Sequence, residues 1–528
     1  ELRINHGVST RADLGVVTLK GTGGTIDTTG ATITTGLITG SGGLKKQGSG
    51  TLVLTGLNNQ KFTGDTTISE GKVQIDSAQG LGTTGQLVLD GGSLQVVGNT
   101  EVTLDKKAVI TSNNGTVDNV SSNVTLSGVV SGAGQLVKSG AGKFSLTNEK
   151  NSFEGGVRIK DGTLEVSTDG SLGKANTQVL IDGATLAISK DATLSRQIVL
   201  TEKGGAVSVA GTSTATLSGT LALDAGVLSA DFTKSGTGTL NLTKDNTNFK
   251  GNTIIQEGTL GITGKDNLAQ GKLFLDGGNL RTNASLNFDK EIIINSTGGI
   301  DTSLDALGNK TEVTVISKIQ GNGGLVKTGE GTLTLSADNA YAGGTQVKGG
   351  TLVVNKDSNL GLQATDITLN GGTLQLGAAD AVSFKKGDAA SRLLNVGQEG
   401  GGLDIGAFDL TIETDISGDG TLTQTGTAKK DANGDIVKDQ YGQTVFTHDG
   451  TLTLKGNNTF SGITVESGTL KIDANQNLGA DAAQLTLKDG TTLDTTLDTT
   501  AANAKFDLEH GITVGDGING ATLRQDED

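Results

Sequence analysis

Three histidines, His6, His448 and His510, are the only imidazoles in 528 residues, and there is no cysteine. A nucleophile, an imidazole and a carboxylate must lie within hydrogen-bond reach to run triad hydrolysis. These histidines are far apart in sequence, and no GDSG-type nucleophile motif accompanies them. Carboxylates are plentiful, with Asp and Glu together numbering 57. Two of them ~5–9.5 Å apart could cleave a glycosidic bond. Yet Asp90, Asp182 and Asp276 each precede a glycine, a position that turn chemistry explains. With Trp 0 and Tyr 2 there is little aromatic surface to hold sugar rings. No catalytic residue is named, and a polysaccharide-active enzyme is kept only as a distant alternative.

Metal chemistry is equally sparse. Gly400 to Leu410 (GGGLDIGAFDL) has a calcium-nonapeptide look but occurs once, whereas such sites come in tandem. Asp431, Asn433 and Asp435 share the odd spacing of a calcium loop without its glycine at position six or its terminal Glu. Gly321 to Thr328 (GNGGLVKT) suggests a phosphate loop but lacks the Gly-Lys-Ser/Thr ending. No metal and no cofactor is expected. What remains is an insertion at about 427–448, whose Asn433-Gly434 pair is a hairpin signal. A projecting hairpin is a common place for contacts, so Asp431, Asn433, Asp435, Lys438 and Tyr441 are the candidate binding residues. Its alternative reading is an insertion tolerated in a corner loop.

The elements that carry these residues form a repeat. Gly48 to Asp76 reads GSGTLVLTGLNNQKFTGDTTISEGKVQID, and related stretches begin at Gly140, Gly236, Gly329 and Asp449. The second turn glycine falls at Gly50, Gly142, Gly238, Gly331 and Gly450, at intervals of 92, 96, 93 and 119. The last interval is long because of the insertion. Within each copy, strand-opening glycines recur at steps of 18 to 22, as at Gly50, Gly71 and Gly91. Short alternating strands at that step are the rungs of a parallel β-solenoid. The expected fold is all-β: a right-handed parallel β-helix, one rod of roughly 24 rungs, about 120 Å long at the ~4.8 Å strand spacing.

The expected organisation is one continuous segment, 1–528. It has a partial repeat at 1–38, then repeats at about 39–130, 131–225, 226–320, 321–416 and 417–528. Both ends fall inside the repeat, which reads as an interior segment of something longer. The recurrent aromatics Phe62, Phe153, Phe249, Tyr341 and Phe460 are read as interior or turn packing. Gly 84 with Pro 0 fits strands paired on both sides. A net charge of −16 argues against nucleic acid and against docking on an anionic membrane. The sequence holds no transmembrane run.

The unit G-x-G-T-L-x-L-x-G-x-N-x-(F/Y)-x-G-x-T-x-(V/I)-x-x-G-T-L resembles the passenger-associated transport repeat of bacterial autotransporters. Gly329 to Val354 follows it most closely, and the copy at Gly140 departs with Lys143-Phe144. The resemblance implies a Gram-negative protein exported across the outer membrane and displayed at the cell surface or secreted, with membrane attachment only through a C-terminal β-barrel absent from this sequence. It implies a non-enzymatic adhesin acting in cell–cell aggregation, biofilm formation or host attachment. Its partners would be passengers on neighbouring cells, or a host receptor or matrix. A passive stalk presenting another domain is the alternative.

Overall fold

The computed structural model describes residues 2–3, 11–54, 61–98, 101–378, 382–387, 391–426, 429, 431, 436–438, 444–446, 450–497, 510–515 and 520–527. The chain is a parallel β-solenoid of about 22 turns with almost no helix, against the roughly 24 rungs read from the glycine step. Its contacts fall into two compact units, 1–260 with 266–271, and 261–265 with 272–528. No helix among the described residues is long and apolar enough to cross a membrane.

Each strand is only a few residues long because glycine interrupts a period-2 alternation. In Lys72–Ile75, Val73 and Ile75 point inward and are buried while Lys72 and Gln74 face out. The strand follows Gly71, whose φ of 60° supplies the corner. One turn later the pattern recurs in register, Lys72↔Ser93 and Val73↔Leu94. The strand pairs between turns are all parallel, as in the run Thr66↔Leu87↔Ala108↔Val130. Inward columns such as Ile33↔Leu52↔Val73↔Leu94↔Val117 therefore stack like on like, and that column is the core.

The first unit is built on three main sheets. One runs from Leu2–Arg3 to Val130–Ser131 in seven strands, and a second from Arg11–Leu14 to Leu221–Leu223 in eleven. The third opens at Val102–Leu104 and reaches Thr253–Ile255 within this unit. The second unit repeats the scheme, for example through Leu325–Thr328, Thr345–Val347, Ile367–Leu369 and Leu394–Val396 in one sheet.

The sequence reading did not anticipate five short 3₁₀ segments, at 78–81, 169–172, 265–267, 357–360 and 475–478. Each lies one turn beyond a recurrent aromatic. The expected packing role of Phe62, Phe153, Phe249, Tyr341 and Phe460 holds: all five are fully buried. Their carbonyls accept the amides of Thr83, Lys174, Gln270, Leu362 and Ala480 at 2.9–3.0 Å. Phe62 and Tyr341 close two-residue strands that are the last of their sheets, and the next turn passes the ring as a 3₁₀ loop.

Candidate binding surface and the clamps behind it

Inside the solenoid, the chemistry-bearing side chains are structural clamps. Lys46, Lys138, Lys234 and Lys327 stand in inward columns otherwise made of aliphatics, as in Ile26↔Lys46↔Ile68 and Ile300↔Lys327↔Val347. All four are fully buried. A buried ammonium must spend its donors, and each does so on three backbone carbonyls. Lys46 Nζ donates to Gln47 O (3.0 Å), Gly48 O (2.7 Å) and, one turn on, Glu70 O (3.0 Å). Lys138 repeats this with Ser139, Gly140 and Asp161 at 2.9, 2.5 and 3.0 Å. Lys234 does so with Ser235, Gly236 and Glu257 at 2.8, 2.6 and 3.0 Å. Lys327 uses Thr328, Gly329 and Gly349 at 2.8–2.9 Å. Burial pushes all four lysines down from the usual 10.5 to about 8. Gly321 to Thr328, the phosphate-loop look-alike, is thus a turn followed by a strand that ends on a lysine clamp.

A buried asparagine accompanies the aromatic in four repeats. Asn151 Oδ1 accepts the Val130 amide from the turn before, and its Nδ2 donates to Ser171 O in the turn after, both at 2.8 Å. Asn246, Asn339 and Asn458 bridge Leu221 to Asn267, Ile319 to Asn359 and Ile416 to Asn477 in the same way. The side-chain amide does the work of the peptide group that the displaced strand would have supplied.

Two of the 3₁₀ loops, 169–172 and 357–360, are each held by a buried arginine from the following turn. Arg196, 1% exposed, pairs with Asp169 at 2.9 Å and donates to Gly173 O (2.7 Å) and Lys174 O (2.8 Å). Arg392 pairs with Asp357 at 2.8 Å and reaches Gly361 O and Leu362 O. At the matching position in the last repeat, the His510 ring Nε2 lies 3.1 Å from Ala480 O. Lys106 reaches Gly85 O at 3.2 Å in the first. Lys106, Arg196 and Arg392 are not among the candidate residues read from the sequence, whereas His510 is weighed there only for a triad. Their common signal was a basic residue two positions before the inward residue of the next strand, at Ala108, Ile198, Leu394 and Ile512.

The carboxylates considered for catalysis or calcium bridge successive turns. Asp90 accepts Thr111 Oγ1 (2.6 Å), Asn113 Nδ2 (2.8 Å) and Ser69 Oγ (3.1 Å). Those hydrogen bonds, Thr111's first, hold its carboxyl below the usual range. Asp182 accepts Thr201, Arg158 and Lys203, and Asp276 accepts Asn295. In the nonapeptide look-alike, Asp404 accepts the Gly406 amide (3.0 Å) and Gln375 Nε2 (2.8 Å). No group of three or more His, Cys, Asp or Glu among the described residues could hold a metal ion. Of the insertion candidates, Asn433, Asp435 and Tyr441 lie outside the described residues, as do His6 and His448. Lys438 pairs antiparallel with Thr444, its Nζ 2.6 Å from Thr444 Oγ1. Asp431 is described, and Ile436 is 51% exposed.

Outside, the eleven-strand sheet of the first unit presents two flat columns. One is Thr32↔Thr51↔Lys72↔Ser93↔Thr116, and beside it runs Gln74↔Gln95↔Asp118. Gln95 Nε2 and Lys72 Nζ both donate to Asp118, at 2.8 and 3.3 Å. Four steps of ~4.8 Å make this polar stretch about 19 Å long, and beyond it the first column continues through Val137 and Arg158 to the buried Leu180 and Val199.

The profile of the Passenger-associated-transport-repeat matches residues 44–75, 136–166, 232–262, 325–354 and 449–472. The chain is 32% identical over 212 residues to the adhesin BmaC autotransporter of Brucella suis biovar 1 (strain 1330), a stretch that covers 38% of this chain and 6% of that protein. It is 24% identical over 286 residues to the uncharacterized lipoprotein YdeK of Escherichia coli (strain K12), covering 46% of this chain and 22% of that one. The chain thus spans less than a quarter of the length of either relative. No solved structure matches significantly. With five passenger-associated transport repeats set in a parallel β-solenoid, the chain is similar to the passenger domains of autotransporters.

Proposed function

We propose that this chain is part of a surface-displayed autotransporter adhesin passenger, binding through an outward face of its solenoid. The process served would be cell–cell aggregation, biofilm formation or host attachment, with no chemical step. The observation that supports this is the outward polar ladder of Thr, Ser, Gln, Lys and Asp that the eleven-strand sheet carries from Thr32–Thr35 to Gly115–Asn119. Many weak contacts at a fixed spacing sum to useful avidity. The partner favoured is a second passenger. The name of the Brucella suis relative, an adhesin, agrees with this reading.

A second reading, a passive stalk, is favoured by one feature of the same face. Its polar groups partner each other, as Gln95 and Lys72 do on Asp118, which leaves fewer donors for a ligand. Sedimentation from low to high micromolar, at low and raised salt, separates the two. Reversible dimers that weaken in salt, and that Thr51→Arg with Ser93→Arg abolishes without changing thermal stability, support the adhesive face. A monomer at every concentration turns the assignment to a stalk or to an adhesin for a foreign receptor.

A further inference from the structure

The 3₁₀ loop 78–81 stands where loops 169–172 and 357–360 stand in their repeats, but both halves of the clamp differ. Arg196 gives Nε to the Asp169 carboxylate at 2.9 Å, and its other two nitrogens to Lys174 O at 2.8 Å and Gly173 O at 2.7 Å. Arg392 does the same with Asp357, Leu362 O and Gly361 O. In the first repeat Ala78 stands for the aspartate and Lys106 for the arginine, and each is the smaller side chain. A cavity of about 580 Å³ lies there, its walls including Lys61, Ala78, Gly82, Thr83, Asp105 and Lys106. Lys106 is 8% exposed, and its Nζ donates to Gly85 O at 3.2 Å. An ammonium has three donors, and burial holds this one below its usual 10.5. The Asp105 and Asp65 carboxylates act on it through space. Neither forms an ion pair with it: Asp105 is exposed, and Asp65 accepts Gln86. Gly82 O and Thr83 O are the counterparts of the carbonyls that hold Arg196, and no described residue donates to them.

We propose that the cavity beside loop 78–81 is a binding site for a small hydroxylated monocarboxylate, the chemistry of a sugar acid. Its carboxylate gives Lys106 the partner that Asp169 and Asp357 give the arginines, through a charge-assisted hydrogen bond sheltered from water. Its hydroxyls donate to the Gly82 and Thr83 carbonyls, in place of the guanidinium N–H groups. Charge limits the class further. Two lysines and one aspartate in the walls sum to +1, which a monoanion neutralises and a dianion overshoots. Loops 169–172 and 357–360 take no such ligand, because each supplies both halves of the pair itself. The site is separate from the outward polar ladder, and it stands whether that ladder is adhesive or inert.

Isothermal titration calorimetry of the full chain with sodium glucuronate is the test, and one saturable site of millimolar affinity or tighter is expected. Methyl glucoside keeps the ring without the charge, and acetate keeps the charge without the hydroxyls. Each should bind about tenfold more weakly or worse, the scale of a lost hydrogen bond to a charged group. Lys106→Met should weaken glucuronate by a similar factor. Ala78→Asp with Lys106→Arg rebuilds the clamp of the second repeat, and it should abolish binding while the melting temperature holds or rises. If Lys106→Met does not fold, this double variant still decides, because its two residues already sit together in two other repeats. No saturable binding of glucuronate overturns the proposal, as does binding that survives the double variant. Methyl glucoside or acetate binding as tightly as glucuronate overturns it too, since one removes the role of Lys106 and the other that of the carbonyls.

Discussion

Replacing Asn151 by leucine tests whether a side-chain amide really stands in for a missing strand. The substitution keeps the bulk of the side chain and removes both of its hydrogen bonds, to the Val130 amide and to Ser171 O, each 2.8 Å. Asn151 is buried, so water cannot replace it, and two backbone groups are left unpaired. At about 1–3 kcal/mol for each orphaned group the local cost is about 2–6 kcal/mol. Solenoid turns contact mainly their neighbours, so this loss is local and a global melting curve would dilute it. Hydrogen exchange at Val130 is the suitable assay. Every 1.4 kcal/mol is tenfold, so exchange there should quicken by about 30-fold or more, while amides two turns away from Val130, such as Leu87, keep their protection. A change at Val130 of less than about twofold would refute the account, because it would mean that the Asn151 amide is not what satisfies that group.

The four clamp lysines set a pH dependence. Their folded pKa of about 8 lies below the ordinary 10.5, so between those values the unfolded chain binds more protons. Stability should therefore rise with pH across that window, by up to roughly 3 kcal/mol per lysine. Urea midpoints at pH 7.5 and 9.5 for the native chain and for Lys327→Met test this, and the increment should shrink in the variant. At Gly361, φ is 82° and an added Cβ would sit 2.8 Å from the Tyr341 ring. Gly361→Ala should cost about 1–3 kcal/mol in strain and overpacking, seen as a lowered melting temperature, and an unchanged one would contradict the ring-and-loop packing.

Much of the architecture was legible in the sequence because it is written locally. Alternation over three or four residues decides which side of a strand is inward, and glycine decides where a corner falls. Thr66–Ile68 and Lys72–Ile75 around Gly71 needed nothing more. The packing of Phe62 and its counterparts was likewise readable from their fixed place in the repeat. The clamp lysines were within reach too, as a Lys-x-Gly placed at the same offset in four copies, but a lysine normally signals surface.

What only the tertiary structure decided depends on residues stacked one turn away, some 20 positions along the chain. Asn151 has no visible purpose until Val130 and Ser171 lie above and below it, and Arg196 none until it is set over Asp169 and Gly173. The length of a repeat is also not a whole number of turns. Lys46, Lys138 and Lys234 therefore fall in three different sheets of the first unit, and the aromatic breaks move from face to face with them. The Phe153 break falls in the sheet that ends at Val130–Ser131, so the eleven-strand face runs through that repeat unbroken until the Phe249 repeat. The sequence by itself determined the turn, the inward column and the repeat. Stacking determined which face is continuous and which polar groups are already satisfied, because both follow from the register between turns.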